Sequence, residues 1–166
     1  MTANTLDIRH YKADGFLRVC DVRRTWDNKW WYVNIREELM FSPHRSWIYA
    51  IVNDWEIVKI GETGVPLGIR GQLDPNQPLT GTKSRLGRYR QGRETDDWIR
   101  EQLYTAVGQH QVSIWAKQCE TRIVESVVGG QIYQAQVCAH KDLEIAYLDY
   151  IEQGAGRMPR LNTIRK

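Results

Sequence analysis

"WIYAIVNDWEIVKIGETG", Trp47 to Gly64, reads as two short strands around a tight turn. Asn53 and Asp54 are good turn residues. A three-residue turn, Asn53-Asp54-Trp55, pairs Val52 with Glu56. Carried along the ladder, that register pairs Tyr49 with Lys59. Side chains alternate faces along a strand, so a phenol and an amine then stand side by side. A loop with an even number of residues puts them on opposite faces. The sequence therefore sets a condition: an odd turn, or no Tyr49–Lys59 pair.

The 166 residues fit one domain with an appended arm, and can bury an ordinary core without staples. No apolar run approaches the roughly 18 residues of a membrane helix. The start, "MTANTLDIRHYK", lacks the apolar centre of a secretory signal. A cytoplasmic location without a membrane partner is the expectation. Cys20, Cys119 and Cys138 are odd in number, widely spaced and without a CxxC pair. Buried free thiols are expected rather than zinc or disulfides.

A formal charge of +3 alone says little. Its distribution says more. "KSRLGRYRQGR" gathers Lys83, Arg85, Arg88, Arg90 and Arg93. "GRMPRLNTIRK" adds Arg157, Arg160, Arg165 and Lys166. Such runs are either solvated helix faces or surfaces that contact phosphates. Trp26, Trp30 and Trp31 lie among Arg23, Arg24 and Lys29, where base stacking competes with core packing as the explanation.

Residues 1–45 form a β-rich arm for DNA binding or dimerisation, with "DGFLRVCDVRR" and "KWWYVNI" as strands around "WDN". Residues 46–166 form the main domain. After the hairpin comes the Gly- and Pro-rich loop "TGVPLGIRGQLDPNQPLTGTK". Helices follow at Ser84–Tyr89 and Thr95–Val107, the second with Thr95 as its cap. "QVSIWAKQC" is a strand. "TRIVESVVGGQIYQAQV" gives two extended pieces around Gly129–Gly130. His140 to Gln153 is helical, with Gly154 as the stop. The expected fold is α+β: a small central antiparallel or mixed β-sheet flanked by helices.

Glu144 lies three, four and seven residues from Tyr147, Leu148 and Ile151, on the face that meets the core. A carboxylate there is costly unless paired. It is either balanced by an arginine at the core edge, or is a metal ligand or acid/base group in a cleft. Arg85 and Tyr89 share a helix face, and a fixed guanidinium matches phosphate oxygens. A phenol, an amine, a guanidinium and a carboxylate together suit phosphodiester hydrolysis. A divalent ion on Glu144 would offset charge, Arg85 would stabilise the transition state, and Tyr49 would orient or deprotonate water. An ordinary phenol pKa is about 10, and a neighbouring Lys59 would lower it.

These residues resemble the motifs of the GIY-YIG nuclease superfamily. "WIY" (Trp47–Tyr49) matches the first motif and "KIG" (Lys59–Gly61) the second. Arg85 with Tyr89 matches the arginine motif, Glu144 the helix glutamate, and Asn162 the asparagine after proline. Lys59 stands where the second tyrosine is usual, and the leading glycine of the first motif is absent. That variant is similar to certain type II restriction endonucleases. The resemblance implies a metal-dependent endonuclease on double-stranded DNA, with one Mg²⁺ or Mn²⁺ per active site held by Glu144. It implies Tyr49 as base, Lys59 as its partner, Arg85 on the phosphate, and Tyr89 and Asn162 in support. Lys83, Arg88, Arg90, Arg93, Arg157 and Arg160 become DNA contacts. A palindromic target implies a homodimer. Glu62 follows "KIG" where the restriction enzymes can carry histidine, which leaves the metal arrangement open. A non-catalytic nucleic-acid-binding domain and an RNA-processing nuclease are the alternatives.

Overall fold

Strand β3 (Trp47–Asn53) is buried at every residue. An unbroken apolar run of this kind belongs to a strand covered on both faces. The computed structural model describes residues 4–27, 29–74, 81, 83–91 and 94–162, and places β3 inside a five-stranded antiparallel sheet. The sheet order is β2 (Trp30–Val33), β1 (Leu17–Arg24), β5 (Val112–Gln118), β3 and β4 (Glu56–Thr63). Helices α1 (Glu37–Met40), α2 (Arg85–Gln91), α3 (Glu94–Ala106) and α4 (His140–Ala155) complete an α+β fold.

The two faces of β3 feed two cores. Trp47, Tyr49 and Ile51 pack with Leu86 and Tyr89 of α2 and with Ile99, Leu103 and Ala106 of α3. Ile48, Ala50 and Val52 pack with Leu6, Ile8, Tyr11 and Phe16, and with Ile151 of α4. Burying each large apolar side chain contributes about 1.5–3 kcal/mol, which makes β3 the strand least able to tolerate exposure. The N-terminal segment shares both cores. β1 sits between β5 and β2, and Val19, Val22, Trp30 and Tyr32 are buried against α2 and α3.

The β3–β4 turn has two residues, Asp54 and Trp55, not the expected three; Asn53 pairs with Glu56 and Val52 with Ile57. An even loop alone would separate Tyr49 from Lys59. A β-bulge at Val58 intervenes, so that Ile51 pairs with Lys59 and Tyr49 with Gly61. The extra residue restores the parity. Tyr49 and Lys59 therefore share a face as diagonal neighbours rather than as a direct pair.

The pieces around Gly129–Gly130 form β6 (Thr121–Val128) and β7 (Gln131–Cys138), a two-stranded ribbon exposed on both faces. Both glycines have positive φ, 58° and 78°, which a side chain would oppose. Helix α4 runs past Gly154 and stops at Gly156, whose φ of 71° suits a left-handed cap. Thr95 lies within α3 rather than ahead of it. The three cysteines are free thiols, Cys20 and Cys119 buried. Among the described residues no helix is long and apolar enough to cross a membrane.

Candidate active site

The site forms where the ends of β3 and β4 meet α2 and α4. The Tyr49 ring lies across Gly61 of β4, so closely that no Cβ fits between them. This explains the glycine of "KIG": its missing side chain is the space the phenol occupies. Tyr49 is fully buried and its hydroxyl hydrogen-bonds that of Tyr89. Burial, then the neighbouring Tyr49 oxygen, hold the Tyr89 hydroxyl well above the ordinary phenol range, with Arg85 pulling the other way. Tyr89 therefore keeps its proton and can donate it to the Tyr49 oxygen.

Arg85 opens α2 beside these phenols. Burial pulls its pKa down, but Tyr49, Tyr89, Asp96 and Glu62 outweigh that and the net shift is upward. Its Nη1 lies 3.8 Å from Asp96 of α3. Its Nε is buried with no acceptor among the described residues. An unpaired buried donor costs about 1–3 kcal/mol, so an acceptor arriving from outside has something to satisfy.

Glu144 is half-buried on α4, with Leu143, Tyr147, Leu148 and Ile151 packed on the core around it. Burial first, and then the charge of Glu62, push its carboxyl above the usual carboxylate range; Lys59 and Arg85 oppose the shift. The same six side chains named from sequence around the hairpin, Tyr49, Lys59, Glu62, Arg85, Tyr89 and Glu144, thus act on one another electrostatically or by hydrogen bonds. Glu62 is held by His140 Nε2 at 3.3 Å, and His140 Nδ1 meets the buried Ser46 Oγ at 3.1 Å.

Asn162 does not point at the phenols. Its Oδ1 accepts from Ile60 N–H at 2.8 Å and its Nδ2 donates to Ile60 C=O at 2.7 Å. Leu161 N–H adds a bond to Val58 C=O at 2.8 Å. The tail thereby closes the outer edge of β4 and fixes the strand that carries Lys59, Gly61 and Glu62.

The basic residues divide. Arg90 is turned inward and only 5 % exposed, against its expected place on a phosphate-contacting surface. Its guanidinium donates to the Trp30 carbonyl and lies 4.6 Å from the Trp30 ring and 4.8 Å from that of Trp31. The aromatic pair beside it supplies the reason, since a guanidinium stacks on indole faces. Trp26 alone of the three N-terminal tryptophans is widely exposed. Arg157 is engaged with Glu56 at 2.7 Å, and Arg160 lines a cavity with Asp54 and Trp55 at the turn end of the hairpin. Lys83 and Arg88 are half-buried around α2. Arg93, Arg165 and Lys166 lie outside the described residues.

Sequence reasoning missed Asp96, Ser46 and His140. Each acts through a contact between distant segments, for which no local pattern exists. Among the described residues no group of three or more His, Cys, Asp or Glu side chains is gathered around a metal position.

No protein-family model matches the chain, and no curated protein matches it. Solved structures do. A mutant of bacteriophage T4 EndoII aligns at a TM-score of 0.64 and 16% identity, over 94% of this chain and 98% of that one. Restriction endonuclease HPY188I in complex with product DNA aligns at a TM-score of 0.49 and 18% identity, over 96% and 87%. The first likeness establishes that this fold is shared along nearly the whole chain, residues of the N-terminal segment included.

Proposed function

We propose that the protein is a metal-dependent DNA endonuclease of the GIY-YIG type, the KIG variant, which hydrolyses phosphodiester bonds in duplex DNA as a type II restriction enzyme does. One observation supports this most. Two hydrogen-bonded phenols, a guanidinium with an unsatisfied buried donor, and a half-buried carboxylate converge from β3, α2 and α4. The full-length likeness in fold to T4 EndoII is consistent with it.

The roles follow from the chemistry. Arg85 binds the scissile phosphate, whose oxygens supply the acceptor its Nε lacks. Tyr49, as its phenolate, takes the proton of the attacking water and becomes the neutral phenol, while the Tyr89 hydroxyl donates to the Tyr49 oxygen. Arg85 is a cation beside that oxygen, which is the sign required, and Lys59 shares its face of the sheet. Asn162 keeps β4 in place. Lys83 and Arg88 contact the DNA backbone.

The donor set fits one hard divalent ion, Mg²⁺ or Mn²⁺. Glu144 would hold it, because a cation relieves a carboxylate pressed by burial and by Glu62. Mg²⁺ needs only one or two carboxylates when waters and substrate phosphates complete its shell, so a large protein cage is not required. When bound, the ion offsets negative charge on the phosphoryl group. A palindromic target makes the active species a homodimer with one site per strand.

Digestion of a plasmid of known sequence with Mg²⁺, followed by mapping of the ends, tests the proposal. Discrete fragments are expected from the wild type and none from Glu144→Ala. Binding without cutting, by wild type and variant alike, would leave a nucleic-acid-binding domain instead. Preference for structured RNA over duplex DNA would make it an RNA-processing enzyme. Tyr49→Phe should lose cleavage by at least about 100-fold while binding DNA nearly as well. Retained turnover would remove Tyr49 from the chemistry.

A further inference from the structure

Glu62 pairs with Ile48 across the ladder, and so faces α4 rather than the phenols. Helix α4 meets it with His140 and Glu144, one turn apart and hence on one side of the helix. His140 Nε2 lies 3.3 Å from the Glu62 carboxylate. His140 Nδ1 lies 3.1 Å from Ser46 Oγ, which is completely buried. A neutral imidazole with its proton on Nε2 satisfies both contacts: it donates to Glu62 and accepts from the serine. The ring is nine-tenths buried and cannot reorient without losing one of them.

The geometry points to His140 as a positioning residue that holds Glu62 as the second carboxylate at the divalent-cation position, beside Glu144. This rests on the nuclease reading above. A carboxylate that merely tied β4 to α4 would gain nothing from a place beside a second half-buried carboxylate, where its charge is repelled. A shared cation removes that repulsion. The Ser46–His140–Glu62 chain follows the usual logic of metal sites, in which an outer hydrogen bond fixes the orientation of a ligand.

Mn²⁺ binding to the protein without DNA, followed by the electron paramagnetic resonance of the free ion, tests this apart from cleavage. Wild type should bind Mn²⁺ at a site that Glu144→Gln abolishes. Glu62→Gln should weaken it about tenfold or more. His140→Ala should weaken it comparably, while His140→Gln, which can still donate to Glu62, should stay within about threefold of wild type. Melting curves for each variant separate this from lost stability, which would not follow the Ala-versus-Gln order. Wild-type affinity in Glu62→Gln or in His140→Ala, or no wild-type site that Glu144→Gln removes, would overturn the inference. Cleavage by the wild type judges the nuclease reading separately. An enzyme that cuts DNA while Glu62→Gln binds Mn²⁺ normally would lose only the inference.

Discussion

A methyl group added at Gly61 would fall within the Tyr49 ring, against Cζ and the hydroxyl oxygen, with Cε1 only 2.7 Å away. Tyr49 can move aside only at the cost of its packing and its hydrogen bond. It is 1 % exposed and its hydroxyl is tied to Tyr89. The obstacle at Gly61 is therefore space and not backbone conformation, since its φ is not among the positive ones. Gly61→Ala should cost about 1–3 kcal/mol through overpacking. It should also displace the phenol from Tyr89, and lower cleavage by at least about 100-fold even where the protein remains folded. Urea melts and initial rates at a temperature well below the transition would measure both. Wild-type rates in a folded Gly61→Ala would mean that the ring leaves Gly61 during turnover. The sequence contained this glycine as part of a motif but not its reason, because the crossing of one strand by another's side chain is set by the pairing register.

At the scale of elements, the strands of the hairpin, β5, the ribbon turn at Gly129–Gly130 and helix α4 were all legible. Apolar runs, turn residues and helical spacing are local signals. The turn parity was not. A bulge at Val58 needs no special residue, so the sequence offers nothing that separates an odd turn from an even turn with one bulge. Arg90 misled for the same reason: its neighbours Trp30 and Trp31 come from another strand. Glu144 was legible because the helix period alone places it on the packed face of α4. Its raised pKa makes a prediction for that element. Burial and Glu62 disfavour its ionised form in the folded state, so folding is favoured below the unfolded carboxyl pKa. That contribution is lost as pH rises through the folded value. At pH 7 the ionised Glu144 therefore costs stability, and Glu144→Gln should raise stability by up to about 1 kcal/mol, or roughly 2–4 °C in Tm. The advantage should shrink as pH falls and vanish below the ordinary glutamate range. Thermal melts of both proteins in metal-free buffer across that range would check it. A difference that is independent of pH would show that Glu144 does not titrate differently in the fold.

For the whole molecule, two arginines two residues apart on α2 distinguish a side chain that holds the fold from one proposed to contact DNA. Arg90 bridges α2 to β2 through the Trp30 carbonyl and the two indole rings, and two of its nitrogens, Nε and Nη2, are buried without acceptors among the described residues. Because β2 and β1 are integral to the sheet, this contact joins the N-terminal segment to the helices over the site. Arg88 is half-buried on another side of the same helix. If Arg88 contributes one phosphate contact, Arg88→Ala should lower the slope of log binding constant against log salt concentration by about 0.9 for duplex DNA. Its stability should remain within about 0.5 kcal/mol of wild type. Arg90→Ala should do the reverse. It loses two cation–π contacts and a buried hydrogen bond, which together contribute about 2–3 kcal/mol, and its salt slope should be unchanged in the folded protein. Fluorescence anisotropy on a duplex from 50 to 200 mM salt, read beside urea melts, measures both quantities for each variant. An unchanged slope in Arg88→Ala would take Arg88 off the DNA surface. A reduced slope in a fully stable Arg90→Ala would mean that the guanidinium leaves its tryptophans to meet a phosphate, and that the N-terminal segment opens when DNA binds.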